Sequence, residues 1–228
     1  MDGQTPLFDA RLLGMDTRLA GMVVDAVDPR AQARFWAALL GWSNTGTGLR
    51  APADDAWDLG LVFHPVSEPK TVKNRIHLEL ATRRDDVVSR ALDLGARRLD
   101  LGQGEVPWEV LADPEGNEFC VLPPHPRYDT GSVAAILVES NDPPRLGRFW
   151  SLATGWPIEV TNDEVVALRS PSGQWLEFLR GDSTKRGKDR VRFELEGTDR
   201  QALIDAGATP LDLGLADPEG HEFRLRQH

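Results

Sequence analysis

An octapeptide that occurs twice is the feature that most constrains the fold of this chain. Residues 112–119 read Ala-Asp-Pro-Glu-Gly-Asn-Glu-Phe, and residues 216–223 read Ala-Asp-Pro-Glu-Gly-His-Glu-Phe. Such repetition indicates internal duplication. The Asp-Pro-x-Gly segment favours a turn, because proline presets φ and glycine accepts a positive φ. An alternating run follows each turn, which predicts a half-buried strand that closes each half of the chain.

The segments before each octapeptide follow a second repeating pattern. Residues 19–26 alternate as a strand does, Asp28-Pro29 supplies a helix N-cap with a first-turn proline, and Gly41 is a typical residue just after a helix. Residues 75–80 alternate again and begin a second pass of strand, helix and further strands. The second half repeats both passes, beginning its first helix at Asp142-Pro143.

The duplication predicts two tandem domains. The segment Pro123-Pro124-His125-Pro126 is the strongest linker in the sequence. We predict an N-terminal arm over residues 1–17, a first domain over 18–122, a linker over 123–131 and a second domain over 132–228. The helix motifs repeat after 149 − 35 = 114 residues, but the octapeptides repeat after only 217 − 113 = 104 residues. The last unit is therefore about ten residues shorter, which predicts that it has lost part of a hairpin.

Composition excludes several classes of partner. A net charge of −10 argues against binding to nucleic acid or to an anionic membrane surface. No apolar run has the length of a membrane span, and no secretory signal is visible. The single cysteine, Cys120, excludes an intrachain disulfide and fits a reducing compartment. We therefore predict a cytoplasmic protein.

The order of these motifs resembles the vicinal oxygen chelate superfamily of glyoxalases, bleomycin-resistance proteins and dioxygenases, and in particular its actinobacterial glyoxalase-like branch. Residues 28–42, 74–80, 94–96 and 113–119 carry the resemblance, and each has a counterpart in the second half. The resemblance implies an α+β fold of four βαβββ units, which form two tandem domains with cup-shaped mixed sheets and helices on the outside. The concave side of each sheet, the cup, would hold the ligand. The superfamily contains isomerases, epimerases, dioxygenases, thiol transferases and drug-sequestering proteins, so the fold does not decide the function.

The resemblance also implies four metal-ligand positions in each cup. Among those of the first domain, His77 is the one usual ligand and Cys120 stands at another position. Among those of the second domain, Glu177 is the one usual ligand. Neither domain has a complete set, so we predict no metal and no other cofactor. A divalent ion bound jointly by His77, Cys120 and Glu177 is the alternative.

The first cup contains the strongest candidates for a ligand pocket. His77 and Glu79 lie on the polar face of an alternating strand, which should face the cup. His77 could serve as a general acid or base near neutral pH, or it could form a structural hydrogen bond. Trp57 and Trp108 lack counterparts in the second half and could line an aromatic wall or pack in the core. Cys120 is expected to be an inert, partly buried thiol in the same pocket.

The second cup is expected to be strongly charged. Its candidate residues are Glu177, Arg192, Glu194 and Arg224. The two arginines could bind an anion, or the acids and bases could neutralise one another. His221 replaces Asn117 in the second octapeptide, and we expect it to be solvent-exposed.

Three functional hypotheses follow. The first is a protein that binds a small organic molecule in the first cup without a metal. The second is a lyase or isomerase in which His77 is the catalytic acid or base or belongs to an atypical metal site. The third is a structural or partner-binding protein with a degenerate second domain. We expect a monomer in which the two domains pack as a pseudo-dimer.

Overall fold

A computed structural model describes residues 16–81, 86–102, 104–128 and 131–227, so most of the predicted N-terminal arm lies outside the described residues. The fold is α+β and consists of four βαβββ units, which confirms the expected fold class.

Unit 1 contains β1 Thr17–Ala26, α1 Pro29–Leu40, β2 Ser43–Asn44, β3 Gly48–Arg50 and β4 Gly60–Pro65. Unit 2 contains β5 Ile76–Ala81, α2 Val87–Asp93, β6 Arg97–Arg98, β7 Glu109–Ala112 and β8 Glu118–Leu122. Unit 3 contains β9 Val133–Ser140, α3 Pro143–Thr154, β10 Ile158–Thr161, β11 Val165–Arg169 and β12 Trp175–Arg180. Unit 4 contains β13 Val191–Gly197, α4 Arg200–Asp205, β14 Thr209–Leu211, β15 Gly214–Ala216 and β16 Glu222–Arg226.

Two eight-stranded sheets are built across the two halves of the chain. Sheet I has the strand order β14-β15-β16-β13-β1-β4-β3-β2 and therefore joins unit 4 to unit 1. Sheet II has the order β10-β11-β12-β9-β5-β8-β7-β6 and joins unit 3 to unit 2. The central pairs β1–β13 and β5–β9 are antiparallel, whereas the flanking pairs such as β1–β4 and β5–β8 are parallel. Both sheets are mixed, as expected, and each half supplies four strands to each sheet.

The apolar sheet faces and the helices form one main core. On β5, the side chains of Ile76, Leu78 and Leu80 are buried in this core, as the alternation predicted. Helices α1 and α3 contribute their aromatic residues to the same core, including Trp36 and Trp150. His77, Glu79 and Ala81 alternate with the apolar set and lie on the other face of sheet II.

Each octapeptide anchors the helix of its own half. The indole Nε1 of Trp36 donates to Asp113 at 3.2 Å, and that of Trp150 donates to Asp217 at 2.9 Å. His221 is fully buried, so the expectation that it is solvent-exposed was wrong. Its Nδ1 lies 3.0 Å from the Oδ2 of Asp217, so the ring is a buried partner of the turn carboxylate.

The shortening of unit 4 falls in a loop. In unit 2, ten residues, 99–108, connect β6 to β7, whereas in unit 4 only residues 212–213 connect β14 to β15. Both strands of the hairpin are kept. The extra loop of unit 2 carries Trp108. No helix among the described residues has both the length and the hydropathy needed to cross a membrane.

Candidate functional site

The polar face of sheet II lines a cavity of about 530 Å³. Strand β5 places His77 and Glu79 in this cavity, β8 places Cys120 and β12 places Glu177. Trp108 and Tyr128 contribute aromatic walls. The sheet thus combines residues from both halves of the chain, because β12 and β5 belong to different halves but flank the same strand, β9.

Three polar side chains that lie close together in the cavity, which we call the floor, are His77, Glu79 and Cys120. One potential ligand atom from each of the three lies within 4.8 Å of the other two. The Nε2 of His77 is 3.7 Å from the Sγ of Cys120. The Nδ1 of His77 is buried without a hydrogen-bond partner among the described residues. Buried polar atoms are normally paired, so this nitrogen is an exception, and the nitrogen of the ring that faces Cys120 is Nε2.

Burial keeps the floor uncharged near neutral pH. Burial, with a contribution from Lys73, lowers the pKa of His77 to about 4, so its ring is neutral. Burial and the nearby carboxylate of Glu177 raise the pKa of Glu79 to about 8, although Arg127 opposes this. Burial and Glu79 likewise raise the pKa of the Cys120 thiol to about 12. The protein without a ligand therefore presents a neutral imidazole, a largely protonated carboxyl group and a thiol.

The segment after β8 covers one side of this cavity. A short 3₁₀ helix, Pro126–Tyr128, brings the guanidinium of Arg127 over the ring of Trp175, with 4.1 Å from Cζ to the ring centroid. Arg127 also pairs with Glu177 at 2.9 Å, and the hydroxyl of Tyr128 donates to the same carboxylate at 3.3 Å. Glu177 is thereby held by two residues of a segment that the sequence marks as a linker. The proline content of this segment predicted a linker. It did not predict that the segment contacts the sheet.

The two candidate tryptophans have different positions. Trp108 lies on the cavity wall, at the end of the loop that unit 4 lacks. Trp57 lies in the core instead, with its ring 5.5 Å from that of Trp42 and its Nε1 donating to the carbonyl of Leu59 at 2.7 Å. The structure therefore groups Trp108, and not Trp57, with His77.

The four residues assigned to a second cup are divided between the sheets. Glu177 lies in sheet II, whereas Arg192, Glu194 and Arg224 lie in sheet I. Arg192 forms a buried ion pair with Asp25 at 2.6 Å, and Glu194 pairs with Arg226 at 3.2 Å. In sheet I, the two residues that correspond to His77 and Glu79 are therefore each paired with a charge of opposite sign.

Comparison with known proteins assigns the fold. The family model of the glyoxalase-like domain matches residues 21–122 and again residues 135–226. The chain belongs to the glyoxalase-like domain family. Among solved structures, glyoxalase I from Zea mays superposes with a TM-score of 0.58 at 12% identity, covering 92% of each chain. A candidate dioxygenase from Bacillus subtilis superposes with a TM-score of 0.55 at 12% identity, covering 93% of this chain and 86% of the other. No curated protein matches the sequence.

The glyoxalase-like resemblance implies a divalent metal ion in a cup. We therefore asked whether the residues of the floor are suitable metal ligands. Imidazole, carboxylate and thiolate are all ligands that Zn²⁺ accepts in proteins. Three such groups converge within 4.8 Å in sheet II. In sheet I, the corresponding position of β13 holds Arg192, which has no lone pair to donate. The donor set of sheet II fits a metal ion, and that of sheet I does not.

Proposed function

We propose that this glyoxalase-like protein binds a small organic molecule in the cavity of sheet II. The observation that carries the proposal is the cavity itself, whose volume of about 530 Å³ lies within the range of roughly 300–1,000 Å³ typical of ligand pockets. Its composition also fits, because such pockets combine apolar and aromatic walls with a few convergent polar groups. Here Trp108, Tyr128 and Leu137 supply the walls, and the floor supplies the polar groups.

The walls and the floor define the chemical class of the ligand. Two aromatic side chains on the cavity wall suit a flat, largely apolar body. The floor carries no formal charge near neutral pH, and Glu177 is already paired with Arg127. The expected ligand is therefore planar, with a hydrogen-bonding group that reaches His77 or Glu79.

A thermal-shift screen with planar organic molecules tests the proposal. A ligand present at 100 times its Kd stabilises the folded state by about 2.7 kcal/mol, which for a protein of this size raises Tm by roughly 5–10 °C. Trp108→Ala should weaken binding at least about tenfold, because it removes an aromatic wall. Leu213→Ala is the matched control, since Leu213 is exposed in the corresponding hairpin of unit 4.

The variants separate binding in the cavity from adventitious binding. Equal affinities of Trp108→Ala and the parent protein for every ligand found would place binding elsewhere and overturn the proposal. A screen in which no planar molecule shifts Tm would also count against it. Loss of binding by Leu213→Ala would show that the effect of Trp108→Ala is not specific to the cavity.

An enzymatic role for the same cavity is the second candidate. It is favoured by the Nε2 of His77, which lies 3.7 Å from the Sγ of Cys120 on the wall of the cavity. A lyase or isomerase could use this ring as its acid or base. Such an enzyme would convert a molecule found in the binding screen, whereas a sequestering protein would release it unchanged.

A further inference from the structure

A second cavity, of about 140 Å³, lies beside the cavity of sheet II, and we call it the charged cavity. Its walls come from the segment before β5, from β9 and from the loop between β12 and β13. Its basic lining residues are Lys73, Arg75, Arg186, Lys188 and Arg190. Its acidic lining residues are Glu139, Asp182 and Asp189. The described lining therefore has a positive excess, although the chain as a whole has a net charge of −10.

The internal duplication explains how two of these bases come together. Lys73 precedes β5 and Lys188 precedes β13, at equivalent positions of the two halves, since 188 − 73 = 115. Their partners are equivalent as well, because Lys73 pairs with Glu139 and Lys188 pairs with Asp25, at an offset of 139 − 25 = 114. Asp25 is not among the described lining residues, so the charge of Lys188 is not balanced within the cavity.

The bases differ in how firmly the protein holds them. Arg75 is buried, and Asp189 fixes its guanidinium at 2.7 Å. The side chains of Lys73, Arg186 and Lys188 are 36%, 59% and 60% exposed, and each has one carboxylate partner. Ion pairs of exposed side chains contribute little to stability. These three side chains can therefore exchange a carboxylate for an anion of higher charge.

The charged cavity adjoins the cavity of sheet II. Lys73, Glu139 and Asp182 line both, so the two cavities meet at these side chains. With about 140 Å³, the charged cavity is smaller than the roughly 300–1,000 Å³ typical of pockets for whole ligands. It therefore suits one substituent of a molecule whose body lies in the larger cavity.

We propose that the charged cavity binds a phosphate group, and that this group is a substituent of the planar molecule in the cavity of sheet II. A phosphate monoester has a charge of about −1.5 to −2 at pH 7 and three strong acceptor oxygens. Lys73, Arg186 and Lys188 can donate to these oxygens in charge-assisted hydrogen bonds, which are roughly twice as strong as neutral ones. The higher charge lets phosphate compete with the carboxylates that pair with these bases.

Calorimetric titration with inorganic phosphate tests the charged cavity by itself. At low ionic strength, one phosphate per chain is expected, with a Kd of about 1 mM or lower. Added sodium chloride should weaken binding, because salt screens exposed charges. Absence of saturable binding up to about 10 mM phosphate would overturn the proposal. The inference rests on the proposed function for the planar body, but this titration does not need that body, so the two can fail separately.

Variants of the charged cavity identify the donors. Lys73→Ala and Lys188→Ala should each weaken phosphate binding about tenfold, because each removes a charged donor. Asp182→Asn should strengthen it about threefold, because it removes a carboxylate that competes for Arg186. Arg148→Ala is the matched control, since Arg148 is exposed on α3 and its substitution removes the same charge.

The directions of these effects decide the assignment. Circular dichroism checks the fold of each variant, and Asp182→Asn decides the case if a lysine variant unfolds. Unchanged affinity in either folded lysine variant, or no gain in Asp182→Asn, would refute the assignment. An equal loss in Arg148→Ala would show a general effect of net charge and would also refute it.

Riboflavin and its 5′-phosphate distinguish a bound ester from free phosphate, because a flexible chain joins the phosphate to a planar ring. The ester should bind at least about tenfold more tightly than either riboflavin or inorganic phosphate, since it occupies both cavities. Lys188→Ala should remove its advantage over riboflavin, and Trp108→Ala should remove its advantage over inorganic phosphate. An ester that binds no more tightly than inorganic phosphate would restrict the site to the free ion and would refute the shared ligand.

Discussion

At the scale of single residues, the two octapeptides have different side chains, an amide and an imidazole, at the same position of the turn. Asn117 donates its backbone N–H and its side-chain Nδ2 to Asp113, both at 2.9 Å. His221 donates its backbone N–H to Asp217 at 3.0 Å, and its Nδ1 faces the same carboxylate. Each Asp is almost fully buried, so it needs these donors. The expectation of an exposed turn histidine was therefore wrong, because the ring of His221 is a buried partner of Asp217.

The equivalence of the two residues predicts the effects of substitution at position 221. His221→Asn should retain most of the stability, because asparagine performs the same task at position 117. His221→Leu should cost on the order of 1–3 kcal/mol, since it removes the side-chain partner of the buried Asp217 and leaves only Trp150 and backbone N–H groups as its donors. Urea unfolding measures both free energies. Equal losses for the two variants would show that the side-chain hydrogen bond at position 221 does not set the stability.

The local sequence pattern predicted some residues of the candidate site. The positions of the others depend on tertiary contacts. The two-residue period of β5 correctly separated His77 and Glu79 from the apolar set of the core. It carried no information on Arg127, which pairs with Glu177 because the linker places its guanidinium over Trp175. The position of Trp57 likewise depends on its contact with Trp42, a contact that no sequence period encodes.

At the scale of elements, the octapeptide explains how the long helices begin. The side chain of Asp28 caps α1 by accepting from the N–H of Ala31, but position 31 is not the Glu or Gln of a capping box. Glu115 of the first octapeptide takes this role from a distance, accepting from the backbone N–H groups of Val27 and Asp28 at 2.8 Å.

The second half repeats this arrangement. Glu219 accepts from the N–H groups of Asn141 and Asp142, both at 2.8 Å. A distant glutamate can therefore replace the local one, which explains why the Pro-Glu-Gly sequence occurs in both octapeptides. The strands and helices were predictable from period and capping residues, whereas this link between separate elements was not.

Removing a distant cap should weaken the fold without changing its architecture. Glu219→Ala should lower the free energy of unfolding by about 1–2 kcal/mol, which is the cost of losing an N-terminal cap. Chemical denaturation measures the change. Glu159→Ala is the control, because Glu159 is exposed on β10 and its substitution removes the same charge. A loss for Glu219→Ala no larger than that of the control would contradict the capping role.

At the scale of the whole molecule, the two halves are interlocked and do not stand side by side. Each sheet pairs a central strand of one half with a central strand of the other. Arg75 reaches from unit 2 to Asp189 of unit 4 at 2.7 Å and to the carbonyl of Gly220 at 2.9 Å. Its counterpart Arg190, at 75 + 115 = 190, reaches from unit 4 to Glu115 of unit 2 at 3.0 Å.

Local sequence identified the four units but not which units share a sheet. The strands of every unit have the same period and the same apolar face, so any pairing of units would bury similar side chains. The choice depends on contacts between residues more than one hundred positions apart, such as Arg75 with Asp189. These contacts become visible only in the assembled structure.

Because both sheets contain strands from both halves of the chain, we predict that neither half folds alone as a monomer. A fragment of residues 1–124 would leave β1 and β5 as exposed edge strands, because their partners β13 and β9 belong to the other fragment. When the fragments 1–124 and 125–228 are expressed together, a tag on one should co-purify the other in a 1:1 complex with the mass of the intact chain. Light scattering and thermal unfolding check the complex. A monomeric fragment 1–124 that unfolds cooperatively by itself would show that the sheets form within each half, which would refute the cross-pairing.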